Sequence, residues 1–294
     1  MAGLNLYSDM SSIAQSVQDD AIFVIRESYI MPSLVKPFND LSSSNPRVGY
    51  KYNQGTAGTL AEADDLTSSS FIPSADQTLT PREFGLQFFI SDQRADSSGN
   101  LPEDVLVDAA RELGMAAGDK IQQDLLLDMG SLTAGTVGGV ATVPTWGHLA
   151  AAIAQARQAN KSSGAPIKVV MHGYQWAKLA SLASIAGATV AVSPGYTEEV
   201  TRTGFVATFM GAQLYQVYAG TPAVIGTGAT AWFSAGVFAP DAIAIDWRRP
   251  IRVRPQRDES RRGVELNMTG VYAHGLWRPD RGMTLRMFAT APNI

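Results

Sequence analysis

The chain has 294 residues, of which 45% are hydrophobic and 17% charged, with a net charge of −4 and no cysteine. This length is enough for one large or two smaller domains with a sizeable core. The lack of cysteine excludes disulfides and thiolate metal sites. No apolar run approaches the about 18 residues of a membrane span, and no secretory signal is visible. A cytoplasmic product is therefore expected, and the low charged fraction suggests that much of its surface is covered.

The N-terminal part leads into an unusually long loop. Residues 8–30 are predicted to be helical or mixed. Two strand-like runs, Arg47–Tyr52 and residues 84–90, then flank a long polar stretch instead of a short turn. An isolated two-stranded hairpin is marginally stable in water. We therefore interpret residues 41–91 as an arm that folds against another copy of the protein.

The longest helix is predicted directly after this arm. Asn100 and Pro102 provide its start signal, and Gly130 ends it. Between them, apolar residues recur with the three-four spacing of a one-faced helix. Gly114 and Gly118 interrupt this pattern. Because glycine in a helix costs about 1 kcal/mol relative to alanine, we expect another backbone to pack closely at these positions.

A compact mixed domain is predicted over residues 146–245. It begins with a helix capped by Thr145, a buried strand over residues 167–171 and a short helix that starts at Tyr174. Glycine turns separate the next strand-like segments, which are residues 189–192, 204–210, 213–218, 231–238 and 242–247. The tail returns as strands over residues 251–254, 263–270, 271–276 and 283–288.

The charge is distributed unevenly along the chain. Residues 246–294 carry 10 arginines and 5 acidic residues, a balance of +5, whereas the other 245 residues carry 13 basic and 22 acidic residues, a balance of −9. Seven of the arginines lie within residues 248–262. A solvated loop, an intersubunit ion-pair surface and a nucleic-acid contact are the three interpretations. The bidentate fork of arginine favours the second, and the acidic overall charge disfavours the third.

No group of residues typical of catalysis, cofactor binding or metal binding is recognised. Residues 226–231 match a dinucleotide-binding fingerprint, but Gly236 and Pro240 follow where a helix is required. The three histidines lie on separate predicted elements without the spacing of metal ligands. We expect no catalytic residue, no cofactor and no metal site.

Several segments carry more information through their order than through any one motif. They are Thr80-Pro-Arg-Glu-Phe-Gly-Leu-Gln-Phe-Phe-Ile-Ser-Asp92, Asp124-Leu-Leu-Leu-Asp-Met-Gly130, Val169-Val-Met-His-Gly-Tyr-Gln-Trp-Ala-Lys-Leu179, Asp258-Glu-Ser-Arg-Arg-Gly-Val-Glu-Leu266 and Tyr272-Ala-His-Gly-Leu-Trp-Arg-Pro279. In this order, the chain closely resembles the major capsid protein of tailed double-stranded-DNA bacteriophages, with the Hong Kong 97-like fold. The resemblance spans nearly the whole chain.

The resemblance implies an α+β capsid subunit. Its parts would be an N-terminal arm (1–40), an extended loop (41–91), a peripheral domain with a long spine helix (92–145), an axial domain (146–245) and peripheral return strands (246–294). It implies self-assembly as hexamers and pentamers into an icosahedral shell around phage DNA, which would touch the inner face non-specifically. The expected location is the virion, after assembly in the host cytoplasm. Scaffold, portal and decoration proteins are further expected partners, and no membrane is involved.

Two features depart from some members of this family. The arm begins almost at Met1, so a separate scaffold protein, or none, is expected instead of an N-terminal scaffolding segment. The strand over residues 84–90 has no lysine, and Lys51 is the only lysine of the loop. We therefore predict that subunits are not joined by isopeptide bonds.

Other interpretations change the role, and the first two of them keep the fold. An encapsulin-type shell with a cargo enzyme and a gene-transfer-agent capsid are alternatives, and a soluble enzyme is a distant one. Within the capsid interpretation, three acids at the loop tip, Glu62, Asp64 and Asp65, are hypothesised to dock on arginines of an adjacent subunit. These arginines are Arg248, Arg249, Arg252, Arg254, Arg257, Arg261 and Arg262.

Overall fold

The computed structural model describes residues 29–41, 45–52, 59, 62, 73–93, 102–139, 142–160, 164–185, 205–217, 224–225 and 231–289. Most of the predicted N-terminal helix lies outside the described residues, as do the predicted strand over residues 189–192 and nearly all of the glycine fingerprint. Two of the three loop-tip acids, Asp64 and Asp65, also lie outside them.

Helices and strands are both abundant, as the predicted α+β class requires. The described helices are α1 (Met31–Leu34), α2 (Pro102–Asp128), α3 (Trp146–Ala159) and α4 (Gly173–Ile185). The strands are β1 (Lys36–Asn39), β2 (Arg47–Tyr52), β3 (Pro73–Leu79), β4 (Arg82–Ser91), β5 (Thr136–Gly138), β6 (Lys168–His172), β7 (Phe205–Phe209), β8 (Ala212–Val217), β9 (Val224–Ile225), β10 (Trp232–Phe238), β11 (Ile243–Asp258), β12 (Gly263–Leu276) and β13 (Gly282–Phe288). Among the helices in these ranges, none has the length and apolarity to cross a membrane.

A four-stranded sheet carries the arginine-rich part of the chain. Its order is β1–β11–β12–β4, with β1 parallel to β11 and the other pairs antiparallel. Segments that the sequence predicts as separate strands merge into the long β11 and the long β12. The pairing of these two strands is irregular between Trp247 and Arg252, as at a β-bulge, which lets a long strand bend.

A second sheet forms the middle of the chain. Its order is β5–β13–β10–β6–β8–β7, and β9 lies beside β10. Residues 233–239 are all buried, as expected for a central strand that is covered on both faces. Helix α3 packs on β10 and β13 through Leu149 and Ile153. As predicted, Thr145 caps this helix by accepting a hydrogen bond from the backbone N–H of His148.

Helix α2 is the predicted spine helix, and its 27 residues span Pro102–Asp128. At 1.5 Å per residue, it is about 40 Å long. Its apolar stripe, which includes Leu113, Ile121 and Leu125, is fully buried. This stripe belongs to one apolar core that connects α1, α2 and both sheets. The periodic pattern of the sequence thus indicated both the helix and its buried face.

The glycine at position 118 makes room for a side chain, not for the backbone that we expected. A Cβ atom at Gly118 would lie 1.9 Å from a ring carbon of Tyr29. The Tyr29 hydroxyl donates a 2.8 Å hydrogen bond to the Met115 carbonyl, and the backbone N–H of Ile30 donates to Gln122 Oε1 at 3.1 Å. These contacts attach the chain before α1 to the spine helix.

The predicted pairing of the extended loop is wrong. Strand β2 pairs with β3 in a two-stranded ribbon, and not with residues 84–90. Those residues belong to β4, which pairs along its length with β12. Strand β3 has the sequence Pro-Ser-Ala-Asp-Gln-Thr-Leu and lacks the alternating apolar residues that predict a half-buried strand. Among the ribbon residues whose burial is described, Val48, Tyr50 and Thr78 are exposed, whereas Gly49 and Leu79 are buried.

The strand pairing also divides the chain differently from the predicted boundary at 245/246. This boundary falls inside β11, which is continuous from Ile243 to Asp258. Strand β13, assigned to the peripheral return strands, pairs with β10 and β5 in the second sheet. Apolar strands near the C-terminus have the same local pattern whichever sheet they join, so the sequence does not distinguish them.

Replacing Gly118 by alanine should loosen the N-terminal attachment. The added methyl would collide with the Tyr29 ring, and overpacking of this kind costs about 1–3 kcal/mol, which exceeds the gain of about 1 kcal/mol in helix propensity. We expect a lower free energy of unfolding and faster proteolysis before residue 31. Gly147→Ala on α3, where a Cβ meets only ordinary contacts, is the matched control. Equal or higher stability of Gly118→Ala would contradict this role.

Candidate functional site: the loop root and the arginine hairpin

The extended loop leaves the subunit through a short, well-packed part of its ribbon. We define the loop root as Arg47–Gly49 of β2 with its partners Gln77–Leu79 of β3, in the register Arg47↔Leu79. Leu79 is 1% exposed and packs with Ala244 and Ala273. Gly49 lies against the Trp277 ring, which would be 3.0 Å from a Cβ at this position. A larger residue here would require the indole to move by a few tenths of an ångström, so glycine permits the close contact between the strand and this ring.

Four charged residues converge beneath the loop root, and we call them the root ion cluster. Asp246 is fully buried, and its Oδ2 accepts hydrogen bonds of 2.7 Å from Arg47 Nε and from Arg248 Nη2. Arg248 Nη1 also donates to Asp40 Oδ2 at 3.2 Å, and Arg47 Nη2 lies 3.6 Å from the same oxygen. The two positive and two negative charges balance, as buried charges must.

Aromatic rings complete the anchorage of the loop root. The Arg47 guanidinium lies 4.6 Å from the centroid of the Phe38 ring. Phe38 in turn makes an edge-to-face contact with Trp277, with ring centroids 4.8 Å apart. Arg47 is therefore held by ion pairs and by stacking, which a lysine would not reproduce. The first residues of the extended loop leave the subunit in a direction that these contacts determine.

The opposite face of the same ribbon is apolar and exposed. Because side chains alternate across a strand, Val48 points away from the buried side on which Gly49 meets Trp277. The pairing of β2 with β3 is irregular between Gly49 and Tyr50. Val48 is 39% exposed and Tyr50 is 55% exposed. The ribbon thus exposes two large apolar side chains, Val48 of the loop root and the adjacent Tyr50, on the surface of its own subunit.

Among the described residues, some of the seven predicted arginines have an acidic partner in their own subunit and others do not. Arg248 belongs to the root ion cluster, and its side chain is only 4% exposed. Its contact with an adjacent subunit stays a prediction, and this burial within the single chain argues against it. Arg249 bonds to Glu83. Arg257 makes a bidentate pair with Asp92 at 2.7 and 2.8 Å.

The turn between β11 and β12 is also stabilised within the subunit. The hydrogen bond from Arg257 lowers the pKa of Asp92, and Arg257 Nε contacts Glu259 at 3.1 Å. Arg261 donates to Glu265 Oε1 at 3.1 Å, and its guanidinium lies 4.2 Å from the Phe89 ring centroid. These arginines shape the hairpin.

Three arginines are available for contacts outside the subunit. Arg252, Arg254 and Arg262 are exposed, and no acid in the described parts of the chain lies within ion-pairing distance of them. Arg252 and Arg254 alternate with the buried Ile251 and Val253, so both project from the same face of the sheet. We call this face, with Arg262 at its end, the arginine face.

The loop-tip acids and the histidines are the other candidate residues of the sequence. Glu62 is exposed, and Asp64 and Asp65 lie outside the described residues. His148 lies beside Thr145, His172 lies beside Gln175, and His274 lies beside Asp128. Among the described residues, no cluster of histidines and acids has the arrangement of a metal site.

Sequence reasoning missed the root ion cluster. Arg47 and Asp246 are 199 positions apart, so no local pattern connects them. The available signal was Asp246 itself, a carboxylate inside the apolar run Ile243-Ala-Ile-Asp-Trp247. A charge within a buried strand requires a partner of opposite charge.

The root ion cluster predicts a larger loss of stability for Asp246→Ala than for Arg47→Ala. Asp246→Ala leaves the buried Arg248 without its main partner, and this should lower the free energy of unfolding by about 3–5 kcal/mol. Arg47→Ala keeps the pair of Asp246 with Arg248, so its cost should be only about 1.5–3 kcal/mol. Denaturant unfolding of unassembled chain measures both values.

Asp108→Ala is the matched control, because the Asp108 side chain is 72% exposed. Surface changes of this kind shift stability by less than about 0.5 kcal/mol. Equal effects of Asp246→Ala and Asp108→Ala would show that the cluster does not stabilise the fold.

Comparison with solved structures finds a similar fold in phage structures and in a virus-like particle. Mycobacterium phage Che8 is similar with a TM-score of 0.63 at 13% identity, covering 88% of this chain and 91% of that chain. The capsid of Ralstonia phage GP4 has a TM-score of 0.64 at 9% identity, with coverages of 91% and 93%. The virus-like particle from Pyrococcus furiosus has a TM-score of 0.59 at 10% identity, with coverages of 92% and 98%.

The two comparisons of the sequence, with curated proteins and with family models, have different outcomes. A search of curated proteins found no match. The model of the phage capsid protein family matches residues 75–283, which is 209 of the 294 residues. This range includes most of β3, the spine helix, most of both sheets and the whole of the arginine hairpin that β11 and β12 form. The predicted Hong Kong 97-like architecture is therefore confirmed, and the chain belongs to the phage capsid protein family, as a structural major capsid protein.

Proposed function

We propose that copies of this chain assemble as hexamers and pentamers into an icosahedral shell that encloses packaged DNA, with each extended loop lying on a neighbouring copy. The observation that carries the loop contact is the apolar pair Val48 and Tyr50 on a firmly anchored ribbon. Exposed apolar patches mark interaction surfaces, and closed symmetric assembly buries the same patch in every subunit. A second copy is the partner that every shell supplies.

We further propose that the arginine face receives the loop-tip acids of an adjacent subunit. Arg252, Arg254 and Arg262 are the arginines that we propose for this contact, because the other four have acidic partners within the subunit. Glu62 is exposed and Asp64 and Asp65 follow closely in sequence. Arginine and carboxylate pair in a bidentate geometry that adds orientation to attraction. Each contact is weak when exposed, but a shell repeats it in every subunit.

The proposal extends to partners that the family implies. Double-stranded DNA would touch the inner face without sequence preference, and scaffold, portal and decoration proteins are candidate partners. Assembly in the host cytoplasm is proposed to precede the virion. The absence of isopeptide bonds stays a prediction based on Lys51, the only lysine of the extended loop. No catalytic step is assigned to the chain.

A shell with other contents is the second candidate function. The similarity to the virus-like particle from Pyrococcus furiosus extends over 92% of this chain, which favours keeping the encapsulin-type alternative. The contents of purified particles distinguish the two functions. Genome-length DNA supports the phage capsid or a gene-transfer agent, according to its origin, whereas a packed protein supports the encapsulin-type shell.

The loop contact predicts that Tyr50→Ser reduces assembly without unfolding the subunit. Tyr50 is exposed, so its loss should change the free energy of unfolding by less than about 0.5 kcal/mol. In the shell, the same change removes a buried aromatic side chain from every contact, where truncations of central aromatics cost about 2 kcal/mol or more. Electron microscopy and sedimentation of the purified chain measure the fraction in rings and particles.

Tyr174→Ser is the matched control, because Tyr174 is exposed to a similar extent on α4. It should assemble as the unchanged chain does. Normal particle yield from Tyr50→Ser would contradict the proposed loop contact.

The arginine face predicts a charge-swap rescue. Changing Glu62, Asp64 and Asp65 to lysine should lower particle yield, because like charges then face one another. Changing Arg252 and Arg254 to glutamate should do the same, and combining both sets should restore part of the yield. The loss should be smaller in high salt, since salt screens exposed charges. Failure of the combined variant to recover any yield, with the subunit still folded, would argue against this pairing.

A further inference from the structure

A cluster of titratable side chains connects the spine helix to β12, and it is distinct from the root ion cluster and the arginine face. His274 Nδ1 lies 2.9 Å from Asp128 Oδ2, and His274 Nε2 lies 3.5 Å from Asp124 Oδ2. The Tyr272 hydroxyl donates to Asp124 Oδ2 at 2.6 Å. Lys120 Nζ contacts both oxygens of Asp124 at 2.5 and 2.6 Å. The cluster borders an open cavity of about 600 Å³.

The geometry at His274 suits the doubly protonated ring. In neutral imidazole one ring nitrogen is an acceptor, and here it would face a carboxylate oxygen. In imidazolium both nitrogens donate, one toward Asp128 and one toward Asp124. Arg82 and Glu83 of β4 face the same cavity, but Glu83 is bonded to Arg249.

The opposite face of the same strand segment holds the loop root. Ala273 packs with Leu79 of the loop root, and a Cβ at Gly275 would lie 3.1 Å from a Leu79 methyl. Just beyond β12, Trp277 covers Gly49. Residues 272–277 therefore contact the spine helix through Tyr272 and His274, and the extended loop through the alternate positions.

We propose that His274 is a pH-sensitive tie, whose imidazolium bridges Asp124 and Asp128 and thereby holds the strand that anchors the extended loop. Acidification strengthens this tie and alkaline conditions weaken it. The effect on shell formation rests on the proposed contact between the loop and a neighbour, whereas the tie itself is a property of the single chain.

The direction of the pH dependence follows from the charges. Burial and the positive charge of Lys120 would lower the pKa of His274, but the hydrogen bond to Asp128 and the charges of Asp128 and Asp124 outweigh them and raise it. A raised pKa in the folded state stabilises the fold while the ring is protonated. This stabilisation is complete below the ordinary histidine pKa of about 6.5 and is lost as the pH rises through the raised pKa of His274.

The tie is tested first by titrating the histidine rings of the unassembled full chain by NMR. The chain has only three histidines, so His274→Gln identifies the signal of His274. We expect its midpoint above the ordinary value of about 6.5. In Asp128→Asn, which keeps an acceptor but removes a charge, the midpoint should fall by about one unit. A midpoint at or below the ordinary value, or no shift in Asp128→Asn, would overturn the proposal.

The second test asks whether the tie reaches the loop root. Amide hydrogen exchange of β2 and β3, corrected for its intrinsic pH dependence, should be slower near pH 5.5 than near about pH 9. His274→Gln should abolish this difference, and His148→Gln on α3 should keep it. The same pH difference in His274→Gln as in the unchanged chain would overturn the coupling. If the unchanged chain shows the expected His274 titration but does not form shells, the proposed contact between the loop and a neighbour would be contradicted, and the tie would not.

Discussion

The antiparallel pairing of β11 with β12 provides the surface on which the peripheral half of the subunit is built. Strand β1 pairs on one side of this hairpin and β4 on the other, while the spine helix covers one face. The loop root packs against the base of the hairpin, and the arginine face lies farther along it. Because both strands are long and their register is continuous toward the turn, any displacement of the hairpin moves all of these parts together.

The arginines of residues 248–262 have three different roles. Near the core, Arg248 neutralises the buried Asp246 and so allows a carboxylate within an apolar sheet. At the turn, Arg257 and Arg261 bind acids of the same subunit and hold the hairpin end in shape. Between these regions, Arg252 and Arg254 project outward without a partner among the described residues. The distance of an arginine from the core along β11 and the face of the strand to which its side chain points decide which of these roles it has.

Local patterns predicted the helical parts of the fold well. The spine helix has the predicted start, length and buried stripe, because a helix is encoded by neighbours three and four positions apart. The Thr145 cap was predictable for the same reason, because the capping side chain and the backbone N–H of His148 are three positions apart. Strand pairing was predicted less well. Residues 84–90 were assigned to the extended loop ribbon, yet they pair with β12, because a strand of this pattern fits any sheet edge that offers a complementary register.

The sequence by itself determined the α+β class, the capsid family, the spine helix and the presence of an arginine-rich return, since each depends on residue order within short segments. Only the tertiary structure decided that Arg47, Asp40, Asp246 and Arg248 meet beneath the extended loop, and that His274 lies between two carboxylates of the spine helix. It also decided which arginines have an acidic partner among the described residues. These outcomes depend on contacts between residues as far as 208 positions apart, and such contacts follow from sheet register and packing, which no local pattern contains.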